Sequence, residues 1–231
     1  MIRIEGLIKQ YKDAVVLDIP GLDISKQECL GLVGNNGAGK TTLFRIILDL
    51  VRASKGKVTI EGEDVSQSED WKNIVGAYLD EHMLLAYLTP DEYFQSLRKI
   101  YGLSEADLHS HLEKFTDFFS GEILGKKKYI RDLSKGNVKK VGIASAMIGK
   151  PKVVMLDEPF ENLDPTSQNR LKRLILEEKA NSDITFLISS HDLNHVTEIC
   201  DRIVLLEKGK VIKDLQDKDL MAGELDTYFN Y

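Results

Sequence analysis

Short apolar segments near the start of the chain predict strands. Residues 2–7 and 15–24 alternate roughly between apolar and polar positions, as half-buried strands do. Within the second segment, Pro20 and Gly21 predict a turn between two short pieces. Tyr11 falls in the loop between the two segments. We expect these strands to form a small antiparallel sheet.

Other apolar runs lack polar alternation and predict strands that are buried on both faces. Residues 29–33 and 153–156 are of this kind, and residues 184–189 follow the same pattern. Helical patterns separate them, one of which begins at Asp164 and Pro165. Alternating strands and helices are typical of an α/β fold with a parallel sheet. The remaining predicted strands are residues 58–62, 74–79, 202–206 and 211–212.

The middle of the chain, from residue 88 to about residue 149, follows a helical pattern. Thr89 and Pro90 predict one helix start, and Ser104 predicts a second in a sequence that resembles a capping box. A third helix is predicted from near Asn137 to residue 148. The second helical segment carries a one-sided aromatic stripe, which indicates core packing rather than a ligand site. The stripe consists of Phe115, Phe118 and Phe119.

Together these patterns predict an α/β fold interrupted by a helical insertion. We expect a mixed, mainly parallel sheet in a core of residues 1–79 and 150–231, with the antiparallel β part on its N-terminal side. The helical subdomain is expected at about residues 80–149. The 231 residues then form a single domain.

Composition narrows the class of protein. The chain is 42% hydrophobic and 29% charged, which suits a globular core, and its net charge of −6 argues against sequence-independent nucleic-acid binding. Cys29 and Cys200 are far apart and outside any C-x-x-C motif, so we expect reduced core thiols. The first residues carry no signal-peptide pattern, and no apolar run reaches bilayer-spanning length. We expect a cytoplasmic protein that reaches a membrane only through a partner.

The segment after the strand at residues 29–33 matches the phosphate-loop motif G-x-x-x-x-G-K-[ST] and precedes a helical pattern. The alternative, a glycine-rich turn that fits by chance, is weakened because strand and helix are both in place. Lys40 is expected to reach the β- and γ-phosphates, Thr41 to coordinate Mg²⁺, and Thr42 to lie near the α-phosphate. The motif therefore predicts a P-loop NTPase core. Its residues are Gly34, Asn35, Asn36, Gly37, Ala38, Gly39, Lys40, Thr41 and Thr42.

Two acidic residues and a histidine follow the later buried strands. Asp157 ends one strand and is the expected Mg²⁺ ligand, and Glu158 is the expected general base or water-polarising group. His191 follows the next strand, where it can contact the γ-phosphate or simply cap the following helix. Carboxyl ends of parallel strands meet at one sheet edge, so these side chains are expected near the phosphate loop.

A further turn, Leu133 to Asn137, begins a predicted helix. Ser134 and Gly136 can offer a hydroxyl and bare N–H groups to an anion at the helix N-terminus. Without further context, an ordinary N-cap turn is the simpler interpretation.

Considered together, these motifs resemble the nucleotide-binding domain of an ATP-binding cassette (ABC) transporter over residues 2–212. The order and separations of the motifs match that family. They are the phosphate loop at residues 34–42, the turn at 133–137, the strand and acidic pair at 153–158, Asn162-Leu163-Asp164, and His191.

The resemblance implies a mechanism in which two such domains pack head to tail, as a homodimer or with a related cassette, with ATP and Mg²⁺ between them. It implies that Tyr11 stacks on adenine, that Asp164 communicates across the dimer, and that His191 contacts the γ-phosphate. The signature turn of one copy then contacts the ATP bound to its partner. That turn consists of Ser134, Lys135, Gly136 and Asn137.

The chain departs from the family pattern in two places. Lys135 and Asn137 replace the usual Gly and Gln of the signature, while Ser134 and Gly136 are kept. Asp80 stands where the family has a glutamine that contacts Mg²⁺ and the attacking water. An aspartate oxygen suits Mg²⁺ but is charged and shorter, so hydrolysis could be slowed.

The resemblance also implies a partner, an integral membrane permease that docks near residues 80–101. The apolar run at residues 82–87 can form that contact or pack beneath the helical insertion. The leading hypothesis is an ATPase subunit bound at the cytoplasmic membrane face, most like ABC-2 or multidrug export systems. The alternatives are a soluble non-transport cassette ATPase that acts on a macromolecular assembly and a nucleotide-binding module that hydrolyses weakly.

Overall fold

The computed structural model describes residues 1–216, and residues 217–231, which the sequence assigns to the core, lie outside the described part. The strands in chain order are β1 (Ile2–Tyr11), β2 (Ala14–Ile24), β3 (Cys29–Val33), β4 (Lys55–Ile60), β5 (Glu63–Asp64), β6 (Val75–Tyr78), β7 (Val153–Leu156), β8 (Thr185–Ser190), β9 (Arg202–Glu207) and β10 (Lys210–Leu215). The α-helices are α1 (Lys40–Ile47), α2 (Pro90–Ile100), α3 (Glu105–Lys114), α4 (Thr116–Phe119), α5 (Lys135–Ala146), α6 (Pro165–Asn181) and α7 (Leu193–Ile199).

A six-stranded sheet lies at the centre, in the order β10-β9-β3-β8-β7-β6. Only the β9–β10 pair is antiparallel, and the other four pairings are parallel. The carboxyl ends of β3, β6, β7 and β8 therefore share one edge of the sheet. This confirms the predicted α/β fold with a mixed, mainly parallel sheet.

A second, antiparallel sheet has the order β2-β1-β4-β5. The sequence placed Tyr11 in a loop, but β1 extends to Tyr11 and pairs it with Ala14. The predicted break at Pro20 and Gly21 is also wrong, because β2 continues through both residues. β2 is an edge strand, so the missing N–H of Pro20 leaves no ladder bond unmade.

Both faces of the central sheet are buried, which explains the uninterrupted apolar runs. On one face, Val153 and Met155 pack in a core with α1 and the antiparallel sheet. On the other, Val154 and Leu156 pack in a core with the remaining helices. Neighbouring residues of β7 thus pack in different cores. A polar side chain at any of these four positions would need a hydrogen-bond partner inside the protein.

The helices between β6 and β7 begin at predicted caps. Thr89 and Ser104 each accept a hydrogen bond from the backbone N–H three residues later, and both form capping boxes. α5 begins at Lys135 and ends at Ala146, two residues earlier at each end than expected. Its beginning is set by Ser134, which accepts from the N–H of Asn137. The aromatic stripe is buried as predicted.

The helical insertion shares its core with the sheet. Phe94 and Phe118 belong to the same cluster of buried side chains as Phe186 of β8. The insertion is therefore packed against the sheet and does not form a separate core. The assignment of residues 80–149 to a subdomain stays a prediction.

Candidate active site

The phosphate loop joins β3 to α1 at the carboxyl edge of the central sheet. Gly37 and Gly39 have φ angles of 83° and 110°, which side chains disfavour. Gly34 is required for a different reason, since a Cβ there would lie 2.2 Å from the carbonyl oxygen of Leu206. α1 begins at Lys40 with no side-chain cap, so its first N–H groups can bind an anion.

The side chain of Lys40 is buried and points back across the loop. Its Nζ donates to the carbonyl oxygen of Gly34 at 2.6 Å and lies 3.1 Å from Oε1 of Glu158. The ammonium thus sits between the loop and the acidic strand end, where it can neutralise phosphate oxygens.

Thr41 and Asp157 meet beside the lysine. The Thr41 hydroxyl donates to Oδ2 of Asp157 at 2.5 Å, and the Ser189 hydroxyl donates to Oδ1. Burial raises the pKa of Asp157, and the hydrogen bonds from Ser189 and Thr41 partly oppose this effect. A buried carboxylate beside a hydroxyl oxygen is a donor set that suits Mg²⁺.

Thr41 and Asp157 can supply only part of the ligands of a magnesium ion. Within the described residues, no group of three or more His, Cys, Asp and Glu could hold a metal alone. Mg²⁺ usually takes one or two carboxylates and completes its shell with phosphates and water. Thr41 and Asp157 therefore fit an ion that arrives with a triphosphate.

Glu158 and His191 form a pair at the ends of β7 and β8. Oε2 of Glu158 lies 2.9 Å from Nδ1 of His191 and accepts from the His191 backbone N–H at 3.2 Å. Since Oε1 faces Lys40, the carboxylate is held on both sides. The structure thus brings together the predicted base, the histidine and the phosphate-loop lysine.

Two adjoining grooves meet at this point, and both are lined by Thr41 and Glu158. One has a volume of about 380 Å³ and runs along the phosphate loop to Val15 and Val16 of β2 and to Lys208. Tyr11 is outside the lining of this groove, half-exposed, with the Lys9 ammonium 4.5 Å from its ring centroid. Stacking of Tyr11 on adenine stays a prediction.

The signature turn lies on the surface. Ser134 and Lys135 are exposed, and Asn137 donates from its side chain to Glu122 at 3.2 Å. Lys135 lines the second groove, of about 480 Å³, which also reaches Thr41. Asp164 is exposed and caps α6 by accepting from the Ser167 N–H at 3.0 Å.

Asp80 lines the same groove but has other partners. Its carboxylate accepts from the His82 N–H at 2.9 Å and lies 3.4 Å from the Arg45 guanidinium. Its role as a magnesium ligand stays a prediction.

Sequence reasoning missed several residues near the site. Lys139 of α5 donates to the carbonyl oxygen of Glu158 at 2.6 Å, and Ser189 bonds both Asp157 and the Glu158 N–H. Lys208 lines the loop groove, and Gly209 donates from its N–H to Ala38 at 2.9 Å. The polar Ser189 at the carboxyl end of a buried strand was an available signal, whereas the lysines looked like ordinary surface residues.

Comparison with known proteins gives one family. The chain matches the family described as "ABC transporter" over residues 17–161. It is 34% identical to the ABC transporter ATP-binding protein YhaQ of Bacillus subtilis, over 92% of this chain and 70% of that protein. It is 33% identical to the ABC transporter ATP-binding protein NatA of Bacillus subtilis, over 100% of this chain and 96% of that protein. A Nostoc ABC transporter ATP-binding protein is 33% identical over 90% of this chain, which spans 61% of that relative.

Solved structures show the same fold. An ATP-binding subunit of an ABC transporter superposes with a TM-score of 0.86 at 27% identity, over 99% of this chain and 98% of that one. A dimeric ATP-binding cassette with bound ADP and phosphate gives a TM-score of 0.82 at 22% identity, over 94% of this chain and 98% of that one. Within residues 1–216, no helix combines the length and apolar character needed to cross a bilayer.

Proposed function

This chain belongs to the family of ABC transporter ATP-binding proteins, and we propose that it hydrolyses ATP to power a separate integral membrane permease. The observation that carries the proposal is the position of the Glu158 carboxylate, between Lys40 of the phosphate loop and His191. A carboxylate held beside a phosphate-binding lysine is placed to accept a proton from a water that attacks a terminal phosphate.

Each residue of the site has a distinct task in this proposal. Lys40 and the first N–H groups of α1 bind the β- and γ-phosphates, and Thr41 and Asp157 hold Mg²⁺. When bound, Mg²⁺ neutralises the charge that develops on the phosphate oxygens. Glu158 accepts a proton from the attacking water at a carboxylate oxygen, and His191 orients that carboxylate through its Nδ1 contact.

We further propose that the functional unit contains two cassettes. The exposed Ser134 and Lys135 lie at the N-terminus of α5, where the Ser134 hydroxyl and the first N–H groups of the helix suit the γ-phosphate of an ATP held by another copy. The Asn137 N–H already donates to the Ser134 hydroxyl oxygen. ATP then joins the two copies, and hydrolysis shifts the population towards the open state. Asp164 is the expected contact across the dimer.

The permease places the protein at the cytoplasmic face of the membrane in this proposal. Leu85 and Tyr87, which are exposed in the segment after Asp80, are the side chains proposed to dock it. The expectation of export, and of an ABC-2 or multidrug subtype, stays a prediction.

Substituting Glu158 by Gln tests the proposal. We expect steady-state ATP turnover to fall roughly 10²- to 10⁴-fold, while the affinity for ATP stays within about threefold. Because ATP persists, the variant should form an ATP-dependent dimer that light scattering detects. Glu177→Gln, an exposed change on α6, is the matched control and should behave as wild type.

The outcomes separate the candidates. Equal turnover in wild type and Glu158→Gln would remove Glu158 from the mechanism. A wild-type protein that binds ATP but scarcely turns it over would favour the second candidate, a weakly hydrolysing module, to which the Asp80–Arg45 contact points. Failure to co-purify with any multi-span protein from solubilised membranes would argue against the permease.

A further inference from the structure

Glu158 has an unusual backbone conformation for a residue with a side chain. Its φ angle is 47°, in the left-handed region that favours glycine. Such a conformation persists only where the surrounding structure holds it. The N–H of Glu158 donates to the Ser189 hydroxyl at 2.9 Å, and its carbonyl oxygen accepts from Nζ of Lys139 at 2.6 Å. The same carbonyl oxygen also accepts from the Glu161 N–H at 3.2 Å. Within residues 1–216, Lys139 and Ser189 are the side chains that hold this peptide backbone.

Lys139 lies inside the protein, with 9% of its surface exposed. Burial lowers the pKa of the Lys139 ammonium, and the carboxylates near it oppose that effect. Those carboxylates belong to Glu161, Glu158, Asp157 and Glu81. The cation therefore faces the acidic side of the candidate site, and its hydrogen bond goes to the main chain of the proposed base.

The neighbouring Lys140 shows that a lysine of α5 can be buried without a hydrogen bond to the Glu158 backbone. Lys140 is 4% exposed, its Nζ lies 5.6 Å from the ring centroid of Phe118, and the carboxylates that act on it are those of Asp164 and Glu122. Two adjacent buried lysines of α5 therefore differ mainly in what the ammonium meets. This makes Lys140 a matched control for Lys139.

α5 connects Lys139 to the signature turn. The helix begins immediately after Ser134, and Lys139 follows five residues later, about 7.5 Å along the helix axis. Lys135 lies one turn earlier on the same face as Lys139, and both line the groove that reaches Thr41. A short rigid helix thus joins the turn proposed to meet the partner's ATP to the backbone of Glu158 in the same chain.

We propose that Lys139 is a positioning residue for Glu158, and that it links contact of the signature turn with the partner's ATP to the orientation of the base in its own site. The inference rests on the proposed function. Lys139 holds the main-chain carbonyl of Glu158, which keeps the left-handed turn and directs the carboxylate between Lys40 and His191. It touches the base only through the backbone, so it affects turnover without binding the nucleotide.

The test compares Lys139→Met, Lys139→Arg and Lys140→Met in the full chain, with Mg-ATP as ligand. For Lys139→Met we expect kcat to fall about 10- to 100-fold because a misplaced base loses its geometry. KM and ATP affinity should stay within about threefold, and the ATP-dependent dimer should persist longer than in wild type. Lys139→Arg keeps a cationic donor and should recover most of the turnover. Lys140→Met should behave as wild type.

A second variant, Lys139→Gln, keeps an N–H donor and serves if Lys139→Met folds poorly, as judged by its melting temperature. Turnover of Lys139→Met within about twofold of wild type would overturn the inference. Equal loss of turnover in Lys140→Met, or loss of ATP binding in step with turnover in both Lys139→Met and Lys139→Gln, would show a structural role and overturn it too. A wild-type protein without turnover would instead refute the proposed function, and the inference with it.

Discussion

At the scale of single residues, three left-handed backbone conformations lie beside the candidate site, among others elsewhere in the described residues. Glu158, Asn162 and Lys208 have φ angles of 47°, 61° and 45°, although none is glycine. Lys208 is held through Gly209, whose N–H donates to Ala38 of the phosphate loop and whose carbonyl accepts from Asp18. Strain of this kind persists because distant contacts fix it, and it is common at functional sites.

Asp164 has a structural role that can be separated from its expected role in the dimer. Hydrogen bonds from the Ser167 hydroxyl and N–H lower the pKa of the Asp164 carboxyl. We expect Asp164→Ala to lower the free energy of unfolding by about 1 kcal/mol because α6 loses its cap, whereas Asp164→Ser should retain most of it. Urea unfolding of the two variants measures the difference.

The comparison with ATPase activity then decides the second role. If Asp164→Ser is stable but loses turnover, the communication across the dimer gains support. If Asp164→Ser turns over ATP as wild type does, Asp164 acts as a helix cap alone.

At the scale of elements, the segment after β6 divides between core and surface. Leu84 is 7% exposed and packs in the core that the helices share, while Leu85 and Tyr87 are 55% and 75% exposed. The Arg131 guanidinium lies 4.8 Å from the ring centroid of Tyr87, and the Arg131 N–H donates to the carbonyl of Ala86 at 3.0 Å. Packing beneath the helical insertion therefore applies to Leu84, while docking of a permease stays a prediction for the exposed Leu85 and Tyr87.

The two leucines should respond differently to aspartate. Leu85→Asp should leave ATP binding and stability unchanged but reduce permease-dependent ATP turnover and co-purification, because only an exposed side chain is changed. Leu84→Asp buries a carboxylate among apolar side chains and should lower the free energy of unfolding by more than about 2 kcal/mol. Leu176→Asp, at an exposed position of α6, is the control. Parallel loss of ATP binding in Leu85→Asp would contradict the docking role.

At the scale of the whole molecule, one sheet separates two cores and presents the site at its edge. The phosphate loop follows β3, the acidic pair follows β7, and His191 follows β8, so chain segments far apart in sequence meet there. Helices on one face and the antiparallel sheet on the other exclude water from both sides. The stability of both cores therefore supports the geometry of the site.

A partly buried histidine of α3, His111, makes the free energy of unfolding depend on pH. Nε2 of His111 lies 2.9 Å from the carbonyl of Ala144, and burial lowers the pKa of His111, with Lys114 adding to this and Ala144 and Glu178 opposing it. The folded state then binds fewer protons than the unfolded state, in which histidine titrates near about pH 6.5. The contribution of neutral His111 to the free energy of unfolding is fully present above about pH 6.5, and it falls as the pH drops towards the pKa of His111 in the folded state.

Urea unfolding between about pH 7.5 and 5.5 should show this fall, and it should be smaller in His111→Gln. Burial also lowers the pKa of His195, which changes stability in the same direction, so His195→Gln is the companion variant. An identical pH dependence in wild type and both variants would contradict the assignment.

Much of the fold and most of the site residues could be predicted from the sequence because local rules apply there. Apolar runs predicted the buried strands, and Thr89, Ser104 and Asp164 predicted helix starts through their capping side chains. The phosphate loop is recognisable because glycines and Lys40 act within one short segment. The predicted turn at Pro20 was wrong because the sequence does not show that β2 lies at the edge of its sheet, where a proline can remain within a strand.

The sequence by itself determined the α/β alternation, the phosphate loop and the positions of Asp157, Glu158 and His191 after buried strands, since each depends on neighbours along the chain. Only the tertiary structure decided that Lys139 meets the Glu158 carbonyl and that Asp80 faces Arg45. Those contacts depend on how helices pack against the sheet, and no spacing along the chain encodes that packing, because it is the sum of many weak contacts over both faces.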